Sequence, residues 1–141
     1  MQVMYSLALR CVFDMNPTGF VAVGVGAAAG AWCRWGLGML LNPLLPTVPM
    51  GTLAANLIGG YLMGVSMGML AQYASLPAEV RLFVITGFLG GLTTFSTFSG
   101  EAVTLLSRQQ YGWVAAHISM HLLGSLAMTA LGLLTVNLMR S

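Results

Sequence analysis

The chain has 141 residues, 57% hydrophobic and 6% charged, and a mean hydropathy of +0.86. A soluble domain carries about 25% charged residues, so an ordinary water-soluble fold is excluded. Five Arg, no Lys, two Glu and one Asp leave neither a basic surface for nucleic acid nor an acidic tail.

At about 20 residues per membrane span, this length predicts an all-α membrane protein with four transmembrane helices in one domain. Residues 1–19 are expected to form an N-terminal extension lying outside or along the membrane surface. Val3–Leu9 is too short to cross, and Arg10, Asp14, Asn16 and Pro17 interrupt it. The four-helix domain is then 20–141. Span one is predicted from Phe20 to Leu41, and a connection with three prolines, Asn42–Pro49, leads to span two at Gly51–Tyr73. Span three follows Pro77, Glu79 and Arg81 and runs from Leu82 to Leu106. Ser107, Arg108, Gln109 and Gln110 make a polar loop, and span four runs from Trp113 to Leu138. Tyr111 and Trp113 suit the membrane interface.

With four spans, both termini and the central loop share one side. Arg10, Arg81 and Arg140 lie on that side and Arg108 on the other. A bias this slight permits insertion in both orientations, and hence an antiparallel homodimer. Cys11 and Cys33 are far apart in the chain and read as small apolar fillers.

Two spans carry small residues at four-residue intervals. Ala22, Gly26, Gly30, Arg34 and Gly38 line one face of span one, and Asn56, Gly60, Gly64 and Gly68 one face of span two. Such faces let helices pack closely in lipid. Arg34 is an intramembrane charge and therefore a functional candidate, and Asn56 is expected to point into protein, where its amide can donate twice.

Span three holds the most informative string. Thr86–Ser99 lies where a helix should cross the bilayer, yet nine of its fourteen residues are Gly, Thr or Ser. Irregular backbone at membrane depth survives only where protein buries it or where it lines a wet cavity. A broken helix at a site of ion or solute passage is the expectation. Gly90 and Gly91 are expected to supply the unusual backbone angles and to turn carbonyls outward as hard ligands.

The strings GGLTTFSTFS at Gly90–Ser99, GTLAANLIGG at Gly51–Gly60 and GAWCRW at Gly30–Trp35 closely resemble the CrcB/Fluc family of bacterial fluoride channels. The likeness covers everything from about Phe20 onward, and the N-terminal segment departs from it. The resemblance implies a dual-topology antiparallel homodimer in the bacterial inner membrane, with two narrow fluoride pathways and a structural Na⁺ at the dimer centre. It makes Phe95 and Phe98 pore-lining rings and Asn56 the pore asparagine. Backbone carbonyls of Gly90 and Thr93 from both subunits would hold the Na⁺.

These residue types suit that chemistry. A phenyl ring has a positive edge, against which an anion can rest, and neutral amide donors bind weakly enough to let it leave. Thr94, Ser96 and Ser99, with Ser125 and Thr129 on span four, offer hydroxyls for a polar track. Arg34 and Glu101 are accessory candidates. Glu101 has two readings, drawing a hydroxyl or water chain toward the pore mouth or sitting at a solvated helix end. His117 and His121 stand four apart, but no third ligand is visible beside them in the sequence, so hydrogen bonding is favoured over metal. Glu101 with either histidine is the only plausible acid–base set, and no nucleophile or phosphate-loop motif accompanies it, so an enzyme is not expected. The competing classes are a small dual-topology multidrug exporter, which needs an embedded carboxylate that span one lacks, and a non-transporting membrane scaffold. The expected partners are fluoride, the lipid bilayer and a second copy of the chain.

Overall fold

The computed structural model describes residues 16–45, 47–72 and 76–140. Cys11, most of the expected N-terminal extension and the expected end of span two at Tyr73 lie outside the described residues. The regular elements among those residues are all helical, with no strand.

Helix α1 is Pro17–Leu41 and runs into a 3₁₀ turn at Asn42–Leu44. It starts three residues before the expected Phe20 because Asn16 caps it. The Asn16 side chain accepts from the Thr18 N–H at 3.2 Å, and Pro17 needs no partner at the first helical position. The same end is tied to the start of the third span, where Asn16 Nδ2 and Thr18 Oγ1 both donate to Glu79 Oε1, at 3.1 and 3.4 Å. Helix α2 is Met50–Gln72, and its first turn is anchored by the Gly51 N–H donating to Asn42 Oδ1 at 2.8 Å.

The third span, Ala78–Ser107, is composite. It comprises α3 at Ala78–Arg81, a π-helical stretch at Leu82–Leu89, α4 at Gly90–Leu92 and α5 at Phe95–Ser107. Between α4 and α5 the backbone is extended, with φ/ψ of −81°/155° at Thr93 and −153°/117° at Thr94. Helix α6 is Tyr111–Leu138, reached through a turn in which Gln109 adopts φ 58°. All four spans are long and apolar enough to cross a membrane.

The expected role of Gly90 and Gly91 needs correction. Both are helical, and no described glycine has positive φ. The departure from helical angles falls at two threonines, in extended conformations open to any residue. Gly91 is small for a different reason: a Cβ there would run into the Ala27 carbonyl of α1.

Close approach of backbones organises the molecule into two helix pairs. Gly26 and Gly30 of α1 face Gly87, Phe88 and Leu92 of the third span, and a Cβ on Gly87 would stand 2.8 Å from the Val23 carbonyl oxygen. Gly60 and Gly64 of α2 face Ser125, Thr129 and Leu133 of α6, and a Cβ on Gly64 would stand 2.8 Å from the Leu133 nitrogen. The pairs meet at a small core of Ala55, Leu89 and Leu92. Most of the remaining apolar surface points outward. Between 11% and 28% of the most hydropathic window of each span is buried, and Trp32, Trp35 and Leu40 are exposed. Such faces need lipid or another copy of the chain to cover them.

Candidate polar groove and the residues around it

The extended step at Thr93–Thr94 frees backbone groups that a helix would have paired. Asn56 takes them. Its Oδ1 accepts from the Thr94 N–H at 2.8 Å, and its Nδ2 donates to the Thr94 carbonyl at 3.2 Å. One carboxamide thus replaces both partners of an interrupted backbone. The same Nδ2 lies 3.0 Å from His121 Nδ1. With the amide oxygen fixed by Thr94, the nitrogen faces the imidazole, so Nδ1 accepts and the neutral ring carries its proton on Nε2.

Thr94 also starts α5. Its Oγ1 accepts from the Thr97 N–H at 3.2 Å as an N-cap and contacts Thr97 Oγ1 at 3.0 Å and Ser96 Oγ at 3.3 Å. One turn on, Phe95 and Phe98 stand with ring centroids 5.5 Å apart. Phe98 stacks on His117 at 5.2 Å and packs against His121 at 4.9 Å, while Phe95 is 79% exposed.

These side chains surround an open groove of about 540 Å³ between α2, α5 and α6. Among the sequence candidates it is lined by Asn56, Thr93, Thr94, Phe95, Phe98, Ser125 and Thr129, and His121 joins them on a wall that is otherwise apolar, with Met63, Ile118, Leu122 and Leu126. Ser96 and Ser99 are not on its wall. Ser99 Oγ donates back to the Phe95 carbonyl at 2.8 Å. Thr129 Oγ1 likewise donates to the Ser125 carbonyl at 2.8 Å. Gly90 is exposed, and Thr93 donates its N–H and Oγ1 to the Leu89 carbonyl at 3.0 and 2.8 Å. Arg34 is half-buried on α1, away from the groove, and makes no ion pair among the described residues.

Behind Phe98 lies a group that the sequence did not reveal. Thr52 Oγ1 donates to Glu101 Oε1 at 2.6 Å, and Glu101 Oε2 is 3.6 Å from His117 Nε2. His117 is completely buried, and its Nε2 is 3.4 Å from the Phe98 carbonyl. The imidazole centroids of His117 and His121 are 4.4 Å apart. The expectation that no third ligand accompanies the histidines is therefore corrected: Glu101 reaches them from α5, a contact between helices that spacing within α6 cannot report. The missed signals were regular ones. His117, His121, Ser125 and Thr129 form one four-residue stripe, and Thr52 and Asn56 share a face of α2.

Four apolar spans, one of them carrying an extended backbone step that a groove-lining asparagine completes, define a multi-pass membrane protein. The profile of the CrcB-like family (CrcB-like protein, Camphor Resistance) matches residues 21–133, and the chain belongs to that family. It is similar to the fluoride-specific ion channel FluC of Cupriavidus taiwanensis, with 61% identity over 125 residues covering 89% of this chain and 99% of that protein. FluC of Nitrosospira multiformis is 64% identical over 115 residues, 82% of this chain and 90% of its own. FluC of Ralstonia pickettii is 59% identical over 122 residues, 86% and 97% respectively. The chain is a multi-pass bacterial membrane protein.

Proposed function

We propose that this chain is a fluoride-selective channel, not an enzyme, that exports fluoride passively across the bacterial inner membrane and so relieves fluoride toxicity. The observation that carries the reading is the groove itself. Two phenyl rings, an asparagine amide and the Thr94, Ser125 and Thr129 side chains face one space, in a chain whose relatives are named fluoride-specific ion channels.

The step at Thr93–Thr94 is the break in the third helix on this reading, and Asn56 stabilises it while facing the path. Both hydrogens of the Asn56 amide already have acceptors, Thr94 and His121. A passing anion therefore competes with His121 Nδ1 for a neutral donor, which keeps binding weak enough for release. The edges of Phe95 and Phe98 attract an anion and repel a cation.

The working unit on this reading is an antiparallel, dual-topology homodimer. The groove is open in the single chain and Phe95 is largely exposed, so a second copy would close the path. A structural Na⁺ at the dimer centre would be held by carbonyls of Gly90 and Thr93. The residues fit it: ψ of 155° turns the Thr93 carbonyl out of the helical direction, and Gly90 is open to a partner. Bound there, the ion would supply positive potential to the passing anion and join the subunits.

The test is anion efflux from liposomes holding the purified protein. Fast fluoride release without chloride release and without a proton gradient is expected. Proton-coupled drug transport would point to an exporter, and silence toward all anions to a scaffold. Neutral hydrofluoric acid enters cells from acidic surroundings and ionises inside, and the negative-inside potential then drives the anion out. Deleting the protein should thus raise fluoride sensitivity most at low external pH, and growth independent of pH and fluoride would count against export.

A further inference from the structure

We propose that Glu101, His117 and His121 form a binding site for a divalent transition-metal ion of the Zn²⁺ class, whose occupancy controls the adjoining groove. The three residues each offer a ligand atom, all within 4.8 Å of one another. Tetrahedral Zn²⁺ with bonds of about 2.0–2.2 Å holds its ligands roughly 3.4 Å apart, so small side-chain rotations close the set.

Each member is arranged in the same manner, with one polar atom braced by protein and the other presented. Glu101 Oε1 accepts from Thr52, His117 Nε2 meets the Phe98 carbonyl, and His121 Nδ1 meets the Asn56 amide. The remaining atoms, Glu101 Oε2, His117 Nδ1 and His121 Nε2, are buried without a hydrogen-bond partner among the described residues. His117 is 0% and His121 5% exposed. Glu101 Oε2 has only His117 Nε2 at 3.6 Å, and leaving the two ring nitrogens unmatched is costly in a protein interior. Ligand residues fixed from behind by a hydroxyl, a carbonyl and an amide are what a metal site needs.

The donor set selects the ion. Two imidazoles and one carboxylate suit Zn²⁺ or Co²⁺, whereas Mg²⁺ and Ca²⁺ take oxygen ligands. The trio lies between two openings, because His121 lines the groove and Glu101 lines a second cavity of about 500 Å³.

Coordination is coupled to the groove through one hydrogen bond. A metal on His121 Nδ1 displaces the Asn56 amide directly. A metal on Nε2 moves the ring proton to Nδ1, where it opposes the same amide. Either way the Asn56–His121 contact of 3.0 Å is lost and the groove wall rearranges. The coupling rests on the fluoride-channel reading; the metal site does not.

The experiment is Co²⁺ titration of the untagged, full-length protein in detergent, read by visible d–d absorption, with Zn²⁺ as competitor. One equivalent per chain is expected, displaced by Zn²⁺, with affinity lowered at least about tenfold in both Glu101→Gln and His117→Gln. No absorption band in the wild type, or a band unchanged in both variants, overturns the site. Should a variant fail to fold, X-ray absorption on the wild-type Co²⁺ complex decides. The chain has only two histidines, so two imidazoles in the shell support the site and an oxygen-only shell overturns it. In liposomes, micromolar Zn²⁺ should slow wild-type fluoride efflux and leave His117→Gln at its own metal-free rate. Bound Co²⁺ with efflux indifferent to Zn²⁺ overturns the coupling alone, and absence of fluoride efflux under any condition counts against the channel reading while the spectroscopic result stands.

Discussion

Replacing Asn56 by Asp keeps the shape of the side chain and removes both amide donors. The oxygen that takes the Thr94 N–H at 2.8 Å is retained, but the second carboxylate oxygen now faces the Thr94 carbonyl, previously 3.2 Å from a donor. His121 can recover its contact by moving its proton to Nδ1, so the net structural loss is about one hydrogen bond and one unmatched carbonyl, roughly 2–3 kcal/mol. The effect on an anion is larger. A fixed negative charge about 4 Å from a passing fluoride costs about 4 kcal/mol at an effective dielectric constant near 20. At 1.4 kcal/mol per decade, occupancy next to residue 56 falls by about a thousandfold. Efflux from liposomes, followed with a fluoride electrode, should drop by that order, while size-exclusion behaviour and helicity stay near wild type. A folded Asn56→Asp protein releasing fluoride within tenfold of the wild-type rate would refute the reasoning and remove Asn56 from the path.

Phe95→Ile should leave the single chain folded, because the ring is 79% exposed there, and yet slow fluoride efflux more than tenfold. Phe98→Ile should lower both, since the ring packs on two imidazoles at 5.2 and 4.9 Å and each contact is worth about 0.5–1.5 kcal/mol; unchanged efflux in both variants would contradict their role. Gly64→Leu should destabilise the fold by at least about 1–3 kcal/mol, because a Cβ there meets Leu133 backbone at 2.8 Å, whereas Gly36→Ala meets nothing within 4 Å and should be neutral or slightly stabilising by thermal unfolding. Ser107→Cys in a Cys11→Ala, Cys33→Ala background should be labelled by a membrane-impermeant thiol reagent from both faces of the membrane if insertion is dual, and labelling from one face only would exclude antiparallel assembly.

The sequence reported the spans well because each is a long apolar run, and hydropathy alone sets their existence. Boundaries were less visible. The start of α1 at Pro17 depends on Asn16 capping and on Glu79, 63 positions away, which no local window contains. The glycine faces were legible because four-residue spacing is a property of one helix, and Gly60 and Gly64 meet α6 as that spacing implies. Within Thr86–Ser99 the sequence assigned unusual backbone to Gly90 and Gly91, and the extended angles fall instead at Thr93 and Thr94. Glycine suggested unusual angles, whereas Gly91 serves helix contact, Gly90 is an ordinary helical residue and two threonines carry the extended step. That step stands because Asn56, on another helix, supplies the missing partners.

What stayed hidden was pairing between helices. Thr52 and Asn56 on α2, Phe98 and Glu101 on α5, and His117 and His121 on α6 each look like ordinary turn-spaced pairs when read within their own helix. Brought together, they form a single polar seam running from Thr94 through Asn56, His121 and His117 to Glu101 and Thr52, with contacts of 2.6–3.6 Å at each hydrogen-bonded or charged step and the two imidazole centroids 4.4 Å apart. One end of the seam stabilises the interrupted backbone and the other holds the embedded carboxylate. A change of partner at His117 or Glu101 can therefore be felt at Thr94 without movement of a helix. On the metal-site proposal, an ion on the far side of Phe98 would act on the groove through this seam, with the buried His117 and His121 as its link.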